Sequence, residues 1–170
     1  QRLLRMRRRI DRPAHVVQAV EEADQVVVLL RVGGSVRDLD EKDAILAVDL
    51  TAPFLLTRAC LPAMYERQFG RVINVASVAG KIGLKYGAAY AAAKHGLIGF
   101  TRSLALEGAK KGLTANAICP SWTETRMMDD AVEAVASATG RTEAEAREVI
   151  LRSNPLGRAA LPEYLVGPLG

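Results

Sequence analysis

Short runs of branched apolar residues alternate along this chain with longer stretches whose apolar positions recur at helical spacing. The short runs are apolar without strict alternation, which predicts strands buried on both faces. Two of the longer stretches, residues 51–68 and 90–110, predict helices that end at Gly70 and Gly112, and Pro62 is expected to bend the first. Strands alternating with helices indicate a parallel α/β sheet. The three predicted strands are residues 25–30, 71–76 and 113–119.

The segment before this core also has a helical pattern. Residues 14–23 place apolar groups at helical spacing and predict a helix that precedes the first strand. The glycines at 33–34 predict a turn, which is followed by a polar helix start at 38–43.

After Pro120 the pattern changes to two amphipathic helices. The first covers residues 127–138 and is ended by Gly140. The second begins at the capping box Thr142-Glu-Ala-Glu145, runs to about residue 152 and is broken by the Asn-Pro pair at 154–155.

Composition indicates one globular domain. The chain has 170 residues, 49% hydrophobic and 25% charged, and no run of consecutive apolar residues long enough to predict a membrane span. Cys60 and Cys119 have no metal-ligand spacing and predict no disulfide, which favours a reducing, cytoplasmic compartment.

The net charge of +4 is concentrated at the start of the chain, where residues 1–12 contain six arginines and one acidic residue. Such an arm could bind a nucleic-acid backbone or form an organellar transit peptide. It contains no aromatic residues, so we interpret residues 1–13 as a disordered tail or a sequence artefact and predict no nucleic-acid partner. Residues 14–170 are then expected to form the folded domain.

Ser77, Tyr90 and Lys94 are the strongest candidates for chemistry. On a helix, Tyr90 and Lys94 lie on one face with their Cβ atoms about 5–6 Å apart. A free tyrosine titrates near pH 10, and a nearby ammonium favours the phenolate and so lowers the tyrosine pKa. Ser77 follows a predicted strand at the edge where open α/β sheets bind ligands, and Gly80, Gly83 and Gly87 would let it reach Tyr90. A Tyr-x-x-x-Lys pair alone also suits a solvated helix face, but the strand, serine and glycine context favours a proton-transfer site.

The chain from about residue 44 to 158 resembles the short-chain dehydrogenase/reductase family. The resemblance implies a partial Rossmann-like, doubly wound parallel sheet of about three central strands with flanking helices. It also implies hydride transfer between NAD or NADP and a ketone or secondary alcohol, with no metal. The motifs that carry it are Asn74-Val-Ala-Ser77, Tyr90-Ala-Ala-Ala-Lys94, Pro120-Ser-Trp-Thr-Glu-Thr125 and Asn154-Pro-Leu-Gly-Arg158.

The resemblance also implies a role for each site residue. Tyr90 is the general acid in reduction or the base in oxidation, Lys94 lowers the Tyr90 pKa and binds the nicotinamide ribose, and Ser77 polarises the carbonyl. The nicotinamide is held by the segment that contains Pro120, Ser121 and Thr125.

Three departures from the family pattern change these expectations. Asp49 stands where the family has an asparagine, and its charge would alter the titration of Lys94 and Tyr90. The family's glycine-rich pyrophosphate loop is not found before residue 25, and residues 29–32 replace its Asn-Asn-Ala-Gly turn. The sequence is therefore expected to correspond to the central and catalytic part of a longer enzyme, and an inactive truncated or frameshifted remnant is the alternative.

The resemblance leaves the substrate open. The helices within residues 126–153 occupy the family's variable substrate lid, where Trp122, Met127 and Met128 could line an apolar pocket or simply pack the lid onto the domain. In this family the helices at 51–68 and 90–110 form subunit interfaces, so an intact relative is expected to be a homo-oligomer.

Overall fold

The sheet contains three parallel strands, as the sequence predicted. The computed structural model describes residues 16–22, 25–31, 41–84 and 87–166. Gln25 lies opposite Arg71, and Gly70 lies opposite Leu113. The strand order is β1-β2-β3-β4, with β1 at Val16–Glu22, β2 at Gln25–Arg31, β3 at Gly70–Val75 and β4 at Leu113–Ile118.

The helix predicted for residues 14–23 is wrong. Val16–Glu22 is a strand, antiparallel to β2, with Val16 opposite Arg31 and Glu22 opposite Gln25. Only two residues separate the strands, which suits a hairpin, and the valines of this segment favour extended backbone. Pairing with β1 also covers one edge of β2. The turn predicted at 33–34 and the tail at 1–13 lie outside the described residues.

A nearly continuous helix precedes the catalytic strand. It consists of α1 (Glu41–Leu46), a π-helical turn (Ala47–Thr51) and α2 (Ala52–Glu66). Gly70 does not end this helix but opens β3, and the chain instead reverses at Gln68, which has a φ of 52°.

The helix that carries Tyr90 and Lys94 is confirmed as α3 (Ala88–Gly108). A 3₁₀ turn follows at Ala109–Lys111, and Gly112 then adopts the left-handed conformation with a φ of 69°. This geometry favours glycine and ends the helix where the sequence predicted.

The two helices after Pro120 are also confirmed. They are α4 (Arg126–Thr139), ended by Gly140, and α5 (Glu143–Leu151), which begins at the predicted capping box. A short α6 follows at Glu163–Val166.

The main core lies between the helices and the sheet. It is built from Met64 of α2, Val72 of β3, Leu104 of α3 and Leu113 of β4. Because alternate residues of β3 are buried against this core, Asn74 is also fully buried.

The helical segment Lys42–Glu66 is more apolar than the sequence analysis suggested. By length and composition alone it could cross a membrane, because its apolar stretch has a mean hydropathy of 1.6. Of that stretch, 22% is buried inside the fold. Within this fold it packs against the sheet and contributes Met64 to the core. Its apolar character is thus divided between the core and an exposed surface.

Candidate active site

Ser77 lies just beyond the carboxyl end of β3. Its backbone is extended, and its Oγ accepts a hydrogen bond from the Ala79 N–H at 3.1 Å, which starts the 3₁₀ turn Val78–Gly80. The side chain is therefore held at the sheet edge where parallel α/β folds bind ligands.

Glycine at position 80 allows this turn to approach α3 closely. A Cβ on Gly80 would lie 2.7 Å from the Lys94 carbonyl oxygen, closer than real Cβ contacts. The resulting contact lets the Ser77 side chain hydrogen-bond to Tyr90, as the sequence predicted. Gly87 is packed against Leu84, whereas a Cβ on Gly83 would meet nothing within 4 Å, so the steric requirement does not extend to Gly83.

Lys94 lies beneath Tyr90 in the protein interior. Its Nζ is 5.6 Å from the centroid of the Tyr90 ring and donates a hydrogen bond to the Val75 carbonyl at 3.1 Å. The strand that carries Ser77 toward the site thus also orients Lys94. The three side chains of the predicted set lie together.

Asp49 also belongs to this cluster. The π-helical turn Ala47–Thr51 places its Oδ1 3.0 Å from Lys94 Nζ, and the two side chains are only 1% and 3% exposed. Single π-helical turns often occur at functional sites because they re-aim side chains. The sequence placed Asp49 in the site, but it did not show a direct buried ion pair.

The expected lowering of the Tyr90 pKa is not found. Burial is the largest influence and raises the pKa of Tyr90, the hydrogen bond from Ser77 lowers it, and the charge of Asp49 raises it further. The ammonium of Lys94 is paired with Asp49, so its favourable effect on the phenolate is opposed by a carboxylate.

The segment predicted to hold the nicotinamide is joined to the Ser77 turn. The Val78 N–H donates to the Pro120 carbonyl at 2.9 Å. Ser121 and Thr125 are exposed. The structure therefore brings together Asp49, Ser77, Tyr90 and Lys94, with Pro120 beside them.

Two polar positions that support this site were missed by the sequence analysis. Asn74 Nδ2 donates to Thr101 Oγ1 at 2.8 Å, and Thr101 Oγ1 donates to the Leu97 carbonyl at 2.7 Å, all in the interior. These bonds tie the end of β3 to the second half of α3. An asparagine inside an otherwise apolar strand was the available signal.

A surface ion pair links the Pro120 segment to the following helices. Arg147 of α5 binds Glu124, and its Nη1 is 4.0 Å from Asp129 Oδ1 of α4. Nothing in the local sequence pattern predicted this pairing, because it joins residues far apart in the chain.

The site can be compared with known proteins. A family model described as short chain dehydrogenase matches residues 5–136. D-beta-hydroxybutyrate dehydrogenase of Cupriavidus necator is 46% identical over 124 residues, which are 72% of this chain and 48% of that protein. The ketoacyl reductase assigned to the monensin polyketide synthase of Streptomyces virginiae is 40% identical over 166 residues, 92% of this chain and 64% of that protein.

A solved structure shows the same architecture. A variant of the actinorhodin polyketide ketoreductase with NADPH superposes with a TM-score of 0.80 and 34% identity, over 86% of this chain and 58% of that chain. The chain spans about half to two thirds of the length of the relatives that it matches.

Proposed function

The chain belongs to the short-chain dehydrogenase family, and from this premise we propose that it transfers hydride between NAD(P) and a ketone or secondary alcohol at Ser77, Tyr90 and Lys94. The observation that carries the proposal is that the Ser77 side chain meets Tyr90 beside a buried lysine. Carbonyl reduction requires a hydroxyl that donates a hydrogen bond to the carbonyl oxygen and an acid that donates a proton to the same oxygen.

Ser77 and Tyr90 have different roles in the proposed reduction. Ser77 donates a hydrogen bond to the carbonyl oxygen, and Tyr90 donates its proton to that oxygen as negative charge develops. In oxidation the Tyr90 oxygen accepts the proton of the alcohol. When bound, NAD(P) supplies or accepts the hydride, so no metal is required.

The donors at the nicotinamide end fit such a cofactor. An ammonium has three hydrogen-bond donors; Lys94 Nζ donates to the Val75 carbonyl and lies 3.0 Å from Asp49 Oδ1, and we assign a further donor to a ribose hydroxyl. Ser121 and Thr125 offer exposed hydroxyls near Pro120 for the carboxamide. No preference between NAD and NADP follows from these groups.

The substrate is proposed to carry its reacting oxygen on the β carbon of an acyl chain. The names of the two relatives, beta-hydroxybutyrate dehydrogenase and ketoacyl reductase, support this class. The lid role of residues 126–153 is part of the same proposal. Trp122 and Met127 are half-buried, whereas Met128 is 1% exposed in the core shared by α4 and α5, which favours a packing role for Met128.

The proposal includes a cytoplasmic homo-oligomer. Phe54 and Leu55 of α2 are 44% and 43% exposed, and the Phe54 ring lies 5.1 Å from that of Phe100 on α3. Exposed apolar side chains shared by two helices support a subunit interface.

The test combines nucleotide binding with activity. The purified protein is titrated with NADH and NADPH by nucleotide fluorescence, and acetoacetate esters and 3-hydroxybutyrate are assayed as substrates. Tyr90→Phe should lower kcat by about 10²-fold or more while leaving nucleotide affinity nearly unchanged. Tyr164→Phe, at a 52% exposed position in α6, is the matched control.

Two results would count against the proposal. Absence of nucleotide binding at millimolar concentration would favour the catalytically inactive alternative. Binding with equal activity in Tyr90→Phe and the parent protein would show that Tyr90 is not the proton donor.

A further inference from the structure

Asp49 and Lys94 are the buried charged side chains within residues 42–84 and 87–165. Removing two charges from water is costly, and such a pair persists in a protein only when the two groups compensate each other closely. The Oδ1–Nζ distance of 3.0 Å meets this requirement. The pair lies immediately below the Tyr90 ring.

Among the described residues, the groups that pack around Tyr90 are mostly apolar or uncharged. Helix α1 contributes Ile45 and Leu46, which pack in the same apolar cluster as Tyr90, and the 3₁₀ turn contributes Ser77. Lys42 and Asp43 of α1 and Lys81 after the turn are exposed to solvent. Lys94 and Asp49 are thus the buried charges beside Tyr90 in the described part of the chain.

We infer that Asp49 is a positioning residue that neutralises Lys94 and keeps Tyr90 in its phenol form. At neutral pH the site therefore favours turnover in carbonyl reduction over turnover in alcohol oxidation. The inference rests on the proposed function. A phenol is the form that donates a proton in reduction, whereas oxidation needs the phenolate as base. An uncharged amide at position 49 would leave the Lys94 charge to stabilise the phenolate.

The direction of the Tyr90 pKa agrees with this geometry. The negative charge of Asp49 raises the pKa of Tyr90, in the same direction as burial. The reduction rate should therefore stay constant through neutral pH, and the oxidation rate should rise as pH increases toward the Tyr90 pKa.

The inference is tested first on the protein without nucleotide. Tyrosinate absorbance is followed against pH in the parent protein and in Asp49→Asn, each corrected by subtracting the same protein with Tyr90→Phe. The Tyr90 midpoint should fall by about one pH unit or more in Asp49→Asn because the opposing charge is gone. Asp43→Asn, at a position 79% exposed, should leave the midpoint unchanged.

The second readout is the direction of catalysis. With all substrates saturating, Asp49→Asn should raise the ratio of kcat for oxidation to kcat for reduction at pH 7 by up to about tenfold, since one pH unit is a tenfold change in phenolate. A purely structural role would change both rates together. An unchanged ratio and midpoint would overturn the inference without affecting the proposed function, whereas a lowered midpoint in a protein that binds no nucleotide would leave the charge effect supported and the function refuted.

A second variant covers the case in which Asp49→Asn does not fold. The double variant Asp49→Asn/Lys94→Gln contains no buried charge, and by this inference its Tyr90 midpoint should lie within about one pH unit of the parent. A midpoint much higher than the parent would mean that Lys94 acts on Tyr90 without opposition from Asp49, and it would overturn the inference.

Discussion

At the scale of single residues, a buried side-chain hydrogen bond links two elements of the candidate site. Asn74 of β3 is fully buried, and its amide donates to Thr101 of α3. Thr101 in turn donates to the Leu97 carbonyl of its own helix. A buried amide without a partner is costly, so this pair specifies how the strand before Ser77 sits against the helix of Tyr90.

Replacement of Thr101 by valine tests this network. Thr101→Val keeps the shape but removes the acceptor for Asn74 Nδ2, and it should lower the free energy of unfolding by about 1–3 kcal/mol. Thr139→Val removes a similar hydrogen bond from threonine to a carbonyl at an exposed position of α4. It should change the free energy of unfolding by less than about 1 kcal/mol. Denaturant unfolding of both variants gives the comparison, and equal effects would show that the Asn74–Thr101 bond contributes little.

At the scale of elements, the ends of the helices decide where the strands begin. α3 ends in a 3₁₀ turn and then at Gly112, whose left-handed backbone leads directly into β4. Gly140 ends α4 in nearly the same backbone conformation, with φ of 68° against 69°. The two glycines differ in their surroundings, since a Cβ on Gly112 would lie 1.7 Å from the Gln68 carbonyl oxygen and a Cβ on Gly140 would meet nothing within 4 Å.

Because of this difference, alanine substitutions at Gly112 and Gly140 form a matched pair. Gly140→Ala should cost only the strain of a left-handed alanine, about 1–2 kcal/mol. Gly112→Ala should cost clearly more, because the Gln68–Phe69 backbone that leads into β3 must also move. Thermal unfolding of the two variants measures the difference, and equal losses of stability would contradict the close approach at Gly112.

At the scale of the whole molecule, the described apolar side chains form several buried clusters and one exposed face. Met128, Ala146 and Ile150 form a second core between α4 and α5, separate from the one around Met64 and Val72. A short bridge between Thr123 and Ala160 holds the chain around the second core. The apolar face of α2 and α3 around Phe54 has no covering element among the described residues.

The proposed subunit interface on this face can be tested by placing a charged side chain in it. Phe54→Glu should shift the protein from oligomer toward monomer because a carboxylate would have to be buried without a partner. Leu156→Glu, at a position 73% exposed and outside both helices, is the matched control. Sedimentation velocity measures both, and an unchanged distribution for Phe54→Glu would place the interface elsewhere.

The sequence by itself determined the parallel core and the residues proposed for the site. Strands buried on both faces are continuous apolar runs, and helix ends carry local signals such as Gly112, Gly140 and the Thr142 capping box, so these features were predicted correctly. Ser77, Tyr90 and Lys94 were found because spacing within a helix and position after a strand are also local properties.

Only the tertiary structure decided the features that depend on distant partners. The segment at 16–22 has apolar spacing compatible with a helix, and its pairing with β2 selects the strand instead. The pKa of Tyr90 depends on burial and on Asp49, which lies 41 residues earlier in the chain, and the ion pair that neutralises Lys94 forms only when α3 packs against the π-helical turn. Local patterns report the backbone that a segment prefers, whereas electrostatic fields and strand partners arise from contacts that folding creates.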